Sequence, residues 1–534
     1  MSLMTQKESE LQAFISGHEN ALMKLEKEFT LAAWAAERSG SAADFKKLEA
    51  ANTNLRLLYS KADDYRKLTA IKAANEISNP LLKRQLAILI NQYKANQLPK
   101  ALLKAISRKE AEITKKTNNF RGKVNNKEVT QNQIYEVLEE SADNGLRKKH
   151  WEAQKDVGLV VEKDLKELVL LRNKAAGSLG YSNYYEMSMD LQEIDIGWLL
   201  ETFDELYEMT EKPFLRAKSE IDAALRKRLN IEEIMPWHYS DPYFQSAPRV
   251  EEFDYNRIYA KKEIIPIAKK FYAGIGLDVS KVLENSDMFE RKGKSQHAFC
   301  TDIDRAGDVR ILMNIKNKVA EMDTLLHESG HSAYCLGHDK SSLPFLLRSH
   351  AHIFTTEAIA MMFGKLAYSG TWMKEFFGLS EAEADGIEKH GLMHVKRQQL
   401  IFSRWVQVML RFEKSMYENP GQDLNALWWG LVEKYQHVKK PEGRDMPDYA
   451  SKTHICNAPV YYHNYQLGDL MAAQVEDYMR KNICKDKVIN GSKAVGKYLV
   501  QNIFSKGASL EWNEMIKGAT GDYLNPKHFA EKYA

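Results

Sequence analysis

The chain has 534 residues, of which 44% are hydrophobic, 28% charged and 10% aromatic, with 13 Pro and four Cys. That composition excludes a disordered chain, which lacks such apolar surface, and a disulfide-stapled scaffold, and the scarcity of proline favours long helices. With 76 basic against 73 acidic side chains the net charge is +3, which gives no electrostatic case for a nucleic-acid partner.

The N-terminal stretch MSLMTQKESELQ has no apolar signal region, which favours a cytoplasmic chain as the sequence stands. Met1-Ser2-Leu3 ahead of Met4 reads as an expression scar, and a secreted or periplasmic origin with a removed signal peptide is then open. The first ~120 residues read as helices: over 6–38, Leu11, Phe14, Ile15, Leu22, Leu25, Phe29, Leu31 and Trp34 recur near a 3.6 period. Asn79-Pro80 marks a helix start. Residues 121–129 (RGKVNNKEV) read as a turn or small hairpin. Helical patterning then runs from Gln131 to about Ala176, where Gly177 and Gly180 stop it. Residues 235–248 (MPWHYSDPYFQSAP) combine three prolines with four aromatics and read as an ordered loop of functional type.

Residues 296–315 (QHAFCTDIDRAGDVRILMNI) are the best strand candidate, two β-like pieces around an Arg-Ala-Gly turn. From Val319 onward the pattern is helical, and it opens on His327-Glu328-Ser329-Gly330-His331. Side chains four apart share a helix face, so both imidazoles reach one ion. A catalytic zinc takes three protein ligands and keeps a position for water, which Glu328 is placed to deprotonate. Glu357, 26 residues after His331 in a second helical pattern, fits the third ligand, with His350 and His352 as rivals from the same stretch. Asp323, one turn before His327, is placed either to orient an imidazole or to serve as a helix-start charge. Near the C-terminus, residues 452–465 (KTHICNAPVYYHNY) hold one Lys, two His and three Tyr. Such donors suit an oxyanion, and they equally suit an aromatic helix start in the core. No apolar run reaches the ~18–20 residues of a membrane span. Cys300, Cys335, Cys456 and Cys484 form no CxxC pair and read as reduced thiols.

Four blocks together resemble the gluzincin peptidases, and most closely the angiotensin-converting enzyme (peptidyl-dipeptidase A) family, with kinship to thimet oligopeptidase and oligopeptidase F. They are HESGHSAY, LPFLLRSHAHIFTTEAI, the stretch from WWGLVEKYQHVKK to KTHICNAPVYYHNY, and QHAFCTDIDRAGDVRI. The resemblance implies a mainly α-helical zincin fold, two subdomains around a deep cleft with a small antiparallel sheet near the metal. It implies one Zn2+ per chain on His327, His331 and Glu357, with Glu328 as base and later acid. His297 and His454 then hold substrate carbonyls, Tyr465 stabilises the oxyanion, and Ala298 and Cys300 pair the peptide backbone. Gln245, Lys452 and Tyr462 correspond to the family's grip on a free C-terminal carboxylate. Two positions depart from the family: Asn464 stands where chloride-activated members carry Arg, and Met361 where an Asp supports a zinc histidine.

The absence of a linker tract argues for one peptidase unit over 1–534, with an N-terminal helical lid at 1–120 and a catalytic body at 121–534. The expected activity is hydrolysis of oligopeptides by a peptidyl-dipeptidase that releases C-terminal dipeptides. The alternatives are an endo-acting oligopeptidase and a catalytically inactive peptide-binding homologue.

Overall fold

The computed structural model describes residues 4–248, 253–485, 489 and 491–534; Met1-Ser2-Leu3 lie outside them. Helices carry most of the chain, and the β-structure among the described residues is two antiparallel hairpins. The helix Gln6–Ser39 starts at a capping box, in which the Thr5 hydroxyl accepts from the Glu8 N–H and Glu8 reaches back to Thr5. It ends at Gly40, whose φ of 63° is the left-handed stop that favours glycine. Asn79 caps the helix Pro80–Ala95, as the Asn-Pro pair predicted. Asn125 and Asn126, at φ 52° and 63°, make the tight turn between strands Gly122–Val124 and Lys127–Val129.

The helical run expected over 131–176 is three helices, Gln131–Glu140, Asn144–Lys155 and Val157–Gly177. Periodicity did not reveal the first break because capping decides it: Ser141 turns extended, and the Asp143 carboxylate accepts from the Leu146 N–H to start a new helix. The strand expectation over 296–315 becomes the pair Phe299–Asp302 and Val309–Leu312, in register Cys300 to Ile311. Arg305 and Gly307 turn it with positive φ of 50° and 121°.

The chain folds into two compact units, each built from three separated stretches. The first comprises Met1–Gln97, Asp254–Leu392 and Leu467–Asn525. In its N-terminal part Leu11, Leu22, Leu68 and Leu89 share one apolar cluster with Phe345 and Leu346. Trp34 packs edge-on against Phe299, with Ile303 and Leu312 behind it. Ion pairs Lys27–Asp304, Arg305–Glu26 and Arg38–Asp287 fasten the same long helix to the strand hairpin and its flank. The hairpin in turn packs on the helix Val319–Leu336.

The second unit comprises Leu98–Phe253, Met393–Gln466 and Pro526–Ala534. Helix Lys100–Asn119 lies on Val157–Gly177, and the pairs of Lys109 and Lys116 with Asp164 join them. No helix among the described residues is long and apolar enough to cross a membrane.

Candidate metal centre and carboxylate site

His327 and His331 project from one face of the helix Val319–Leu336. The residue between them that matters most for packing is Gly330. A Cβ there would lie 2.9 Å from Ala360 Cα and 3.3 Å from Ala360 N, so only glycine lets the helix Ile353–Gly364 come this close. That approach carries the Glu357 carboxylate to the histidines. The two Nε2 atoms are 3.1 Å apart, and Glu357 Oε2 lies 3.6 Å from His327 Nε2 and 3.9 Å from His331 Nε2. A tetrahedral zinc with arms of ~2.0–2.1 Å sets its ligand atoms about 3.4 Å apart, and the three separations bracket that edge. Two imidazoles and one carboxylate are also the donor chemistry that zinc prefers, so the residues present fit the ion. Neither rival ligand joins this group among the described residues. His352 instead caps the second helix, its Nδ1 accepting from the Phe354 N–H at 3.3 Å.

The electrostatics of the cluster point the same way. Burial depresses His327 to about 4 and His331 well below its ordinary value, so both are neutral lone-pair donors at pH 7. Burial lifts Glu357 to about 7, with nearby Asp469 adding to it. Glu328 is 7% exposed and is lifted to about 8 by burial and by the Glu357 charge, against which the Cys300 N–H works. Two carboxyl groups disfavoured as anions beside two neutral imidazoles form a site that a dication relieves. Asp469 is paired with Lys365 at 2.6 Å. Asp323 does not hydrogen-bond to His327 among the described residues. Its carboxyl lies against Gly364, where a Cβ would come within 2.3 Å of Oδ1. The partner that an imidazole does have is Thr356, whose Oγ1 is 2.7 Å from His331 Nδ1.

In the same unit, His297 is exposed just ahead of the strand and Ala298 is the residue before Phe299. Opposite Cys300, Ile311 uses its N–H on Ser286 Oγ and its carbonyl on the Asp287 N–H. Cys300 and Ile311 are therefore a non-hydrogen-bonded pair, and the Cys300 backbone groups face the strand's other edge. Ala298, two residues back, faces it as well.

The remaining residues named from the sequence belong to the second unit. Lys452 Nζ donates to Gln245 Oε1 at 2.8 Å, although 207 positions separate them. The ammonium sits 4.8, 5.3 and 5.5 Å from the ring centroids of Tyr243, Trp405 and Tyr462. The loop that brings Gln245 here is ordered by Asp241, a buried carboxylate that accepts from the N–H groups of Tyr243, Gln245 and Ser246. Gln436 holds the same loop by donating to the carbonyls of Tyr243 and Phe244. Burial lowers Lys452 to about 8, with Asp241 opposing the fall. His454 opens the short helix His454–Asn457, and its ring is 5.0 Å from that of Tyr462. Burial, then Lys452, lowers it to about 4, so it is neutral and keeps one N–H to donate. Arg172 anchors this helix by donating to the carbonyls of Ile455 and Cys456 at 3.1 and 2.6 Å. Tyr465 stands in the first turn of the helix His463–Asn482, its ring 5.5 Å from Tyr462.

Sequence reasoning missed Thr356, Asp241, Tyr243, Trp405 and Arg172. Thr356 is adjacent to Glu357, and a hydroxyl beside a candidate ligand is a signal that could have been read. Arg172 carries none, because the two carbonyls it holds lie nearly 300 positions away.

The peptidase M2 family model, described as angiotensin-converting enzyme, matches residues 5–236 and 237–531. Angiotensin-converting enzyme of Mesocricetus auratus is 23% identical over 418 residues, and that of Rattus norvegicus 24% over 415. Each alignment covers 70% of this chain and 31% of the relative, so the chain spans about a third of the length of the curated relatives it matches. A match along nearly the whole chain shows the family: this chain belongs to the angiotensin-converting enzyme family.

Proposed function

We propose that the chain is a zinc metallopeptidase of one catalytic unit that removes C-terminal dipeptides from oligopeptides. His327, His331 and Glu357 hold the ion, which when bound supplies Lewis acidity to the scissile carbonyl and to a water molecule. Glu328 takes a proton from the attacking water and returns it to the leaving amine nitrogen as the C–N bond breaks. His454 and Tyr465 donate to the carbonyl oxygen as it gains charge. Ala298 and Cys300 pair the peptide backbone along the strand edge, and His297 holds a carbonyl. The helices of residues 1–120 act as a lid that restricts substrates to short or unfolded peptides, and residues 121–534 form the catalytic body.

The observation that carries this reading is the meeting of Lys452 and Gln245. With Oε1 occupied by Lys452, the Gln245 amide keeps its N–H groups for a carboxylate oxygen, and the lysine supplies the opposite charge. Tyr462 completes the group through its hydroxyl. A buried cation of this kind rewards a free chain end.

The test is mass spectrometry of products from matched peptides with free and amidated C-termini, with and without chelator. The dipeptidase reading expects dipeptides from the free forms and little cleavage of the amides. Equal cleavage of both at the same bond refutes it and leaves the endo-oligopeptidase. No metal-dependent cleavage of any peptide leaves the inactive binding homologue.

A further inference from the structure

We propose that Thr356 is a positioning residue for His331, its hydroxyl oxygen accepting the Nδ1–H and so aiming the Nε2 lone pair at the metal position. The inference rests on the metal-centre reading above. The contact is 2.7 Å, and the threonine is 5% exposed, so water does not compete for the bond. A neutral imidazole has one N–H, and donating it from Nδ1 fixes the tautomer whose Nε2 is free to ligate. The Nε2 that results faces Glu357 Oε2 and His327 Nε2.

The helix Ile353–Gly364 therefore does two things with consecutive residues. Glu357 reaches the metal position directly, and Thr356 reaches around to the back of the neighbouring imidazole. Both depend on the close helix approach at Gly330, since a small shift of one helix would lengthen both contacts together. No other side chain described in this region competes for the task. Asp323 is turned to Gly364, and Asp469 is engaged with Lys365. Met361 carries only a thioether, a weak acceptor, and its methyl lies toward Gly468, where a Cβ would be 2.5 Å away. A hydroxyl orients a ring without adding a charge, so this centre is less negative than one backed by a carboxylate.

Two variants of the full chain separate aim from packing. Thr356→Val keeps the volume and the helix but removes the hydroxyl, and Thr356→Ser keeps the hydroxyl. Zinc dissociation constants are read by competition against a chromogenic chelator, with unfolding of the metal-free proteins measured alongside. Thr356→Val should bind zinc roughly 10–100-fold more weakly, and Thr356→Ser within about twofold of the parent. Parental affinity in the valine variant overturns the proposal. So does an equal loss in both variants, which assigns the position to packing. A parent chain that takes up no zinc, or a His331→Ala variant that binds it unchanged, overturns the metal-centre reading and this proposal with it.

Discussion

Replacing Lys452 with methionine separates its proposed binding role from its cost to the fold. The side chain is 8% exposed, and burial takes its ammonium from 10.5 to about 8. That fall corresponds to about 3 kcal/mol by which the buried charge disfavours the folded state at neutral pH. Methionine removes this penalty and preserves most of the stem against Tyr243, Trp405 and Tyr462. It also removes the hydrogen bond to Gln245, worth ~1.5–3 kcal/mol for a charged donor. The two effects nearly cancel, so Lys452→Met should unfold in denaturant within about 1–2 kcal/mol of the parent. Binding should behave differently. Removing one member of a buried charge pair with a terminal carboxylate costs ~2–5 kcal/mol, or about 30- to 4,000-fold in kcat/KM. The assay is a pair of peptides of one sequence, free and amidated, followed by product chromatography. The free peptide should lose that factor and the amide should be nearly unaffected. A variant that loses both equally, or neither, refutes the carboxylate grip.

The same lysine predicts a pH limb. If the proposed grip holds, the protonated form binds the carboxylate, so kcat/KM for free peptides should fall as pH rises through about 8, and amides should lack that limb. For stability the sign is opposite: the unfolded chain holds this proton more tightly, so the penalty is full below about 8 and fades toward 10.5. Glu328→Gln should reduce turnover by ~10^2–10^4 while metal analysis still finds zinc, because Glu328 is not among the three converging ligands. Gly330→Ala would gain ~0.5–1 kcal/mol of helix propensity, but its Cβ meets the Ala360 backbone at 2.9 Å. The clash, ~1–3 kcal/mol, wins, and both unfolding midpoint and zinc affinity should drop. Arg172→Met leaves two buried carbonyls and Glu110 without their donor, which should cost ~3–5 kcal/mol in denaturant unfolding.

Much of the fold was legible because it is local. Helix spacing at His327 and His331, the Asn-Pro start at 79–80 and the Asn-Asn turn at 125–126 all depend on neighbours a few residues away. Glu357 was legible as a carboxylate opening a second apolar helix, although the close approach that delivers it depends on Gly330, a residue that periodicity treats as a blank. What escaped was non-local or decided by competition. The break at Ser141–Asp143 is a contest between capping and periodicity. Gln245 was the hardest of the carboxylate group to place, since only the Asp241 turn and Gln436 fix its loop. Two subdomains were expected from the family resemblance, but which stretches make up each unit was not legible, because neither is continuous in sequence.

The long N-terminal helix has a consequence for how this protein must be made. Lys27 pairs with Asp304 across 277 positions, and Trp34 waits for Phe299 over a similar span. At ~5–20 residues per second a ribosome needs roughly 15–55 s to supply those partners. During that interval the apolar face of the helix has only its own neighbours, Leu58, Leu68 and Leu89 among them, to cover it. Its unit then still lacks Leu467–Asn525, which brings Asp469 to Lys365 near the candidate metal ligands. Synthesis thus delivers the first stretch of this unit well before its last. A nascent chain stalled between them would present an unfinished apolar surface to chaperones and proteases.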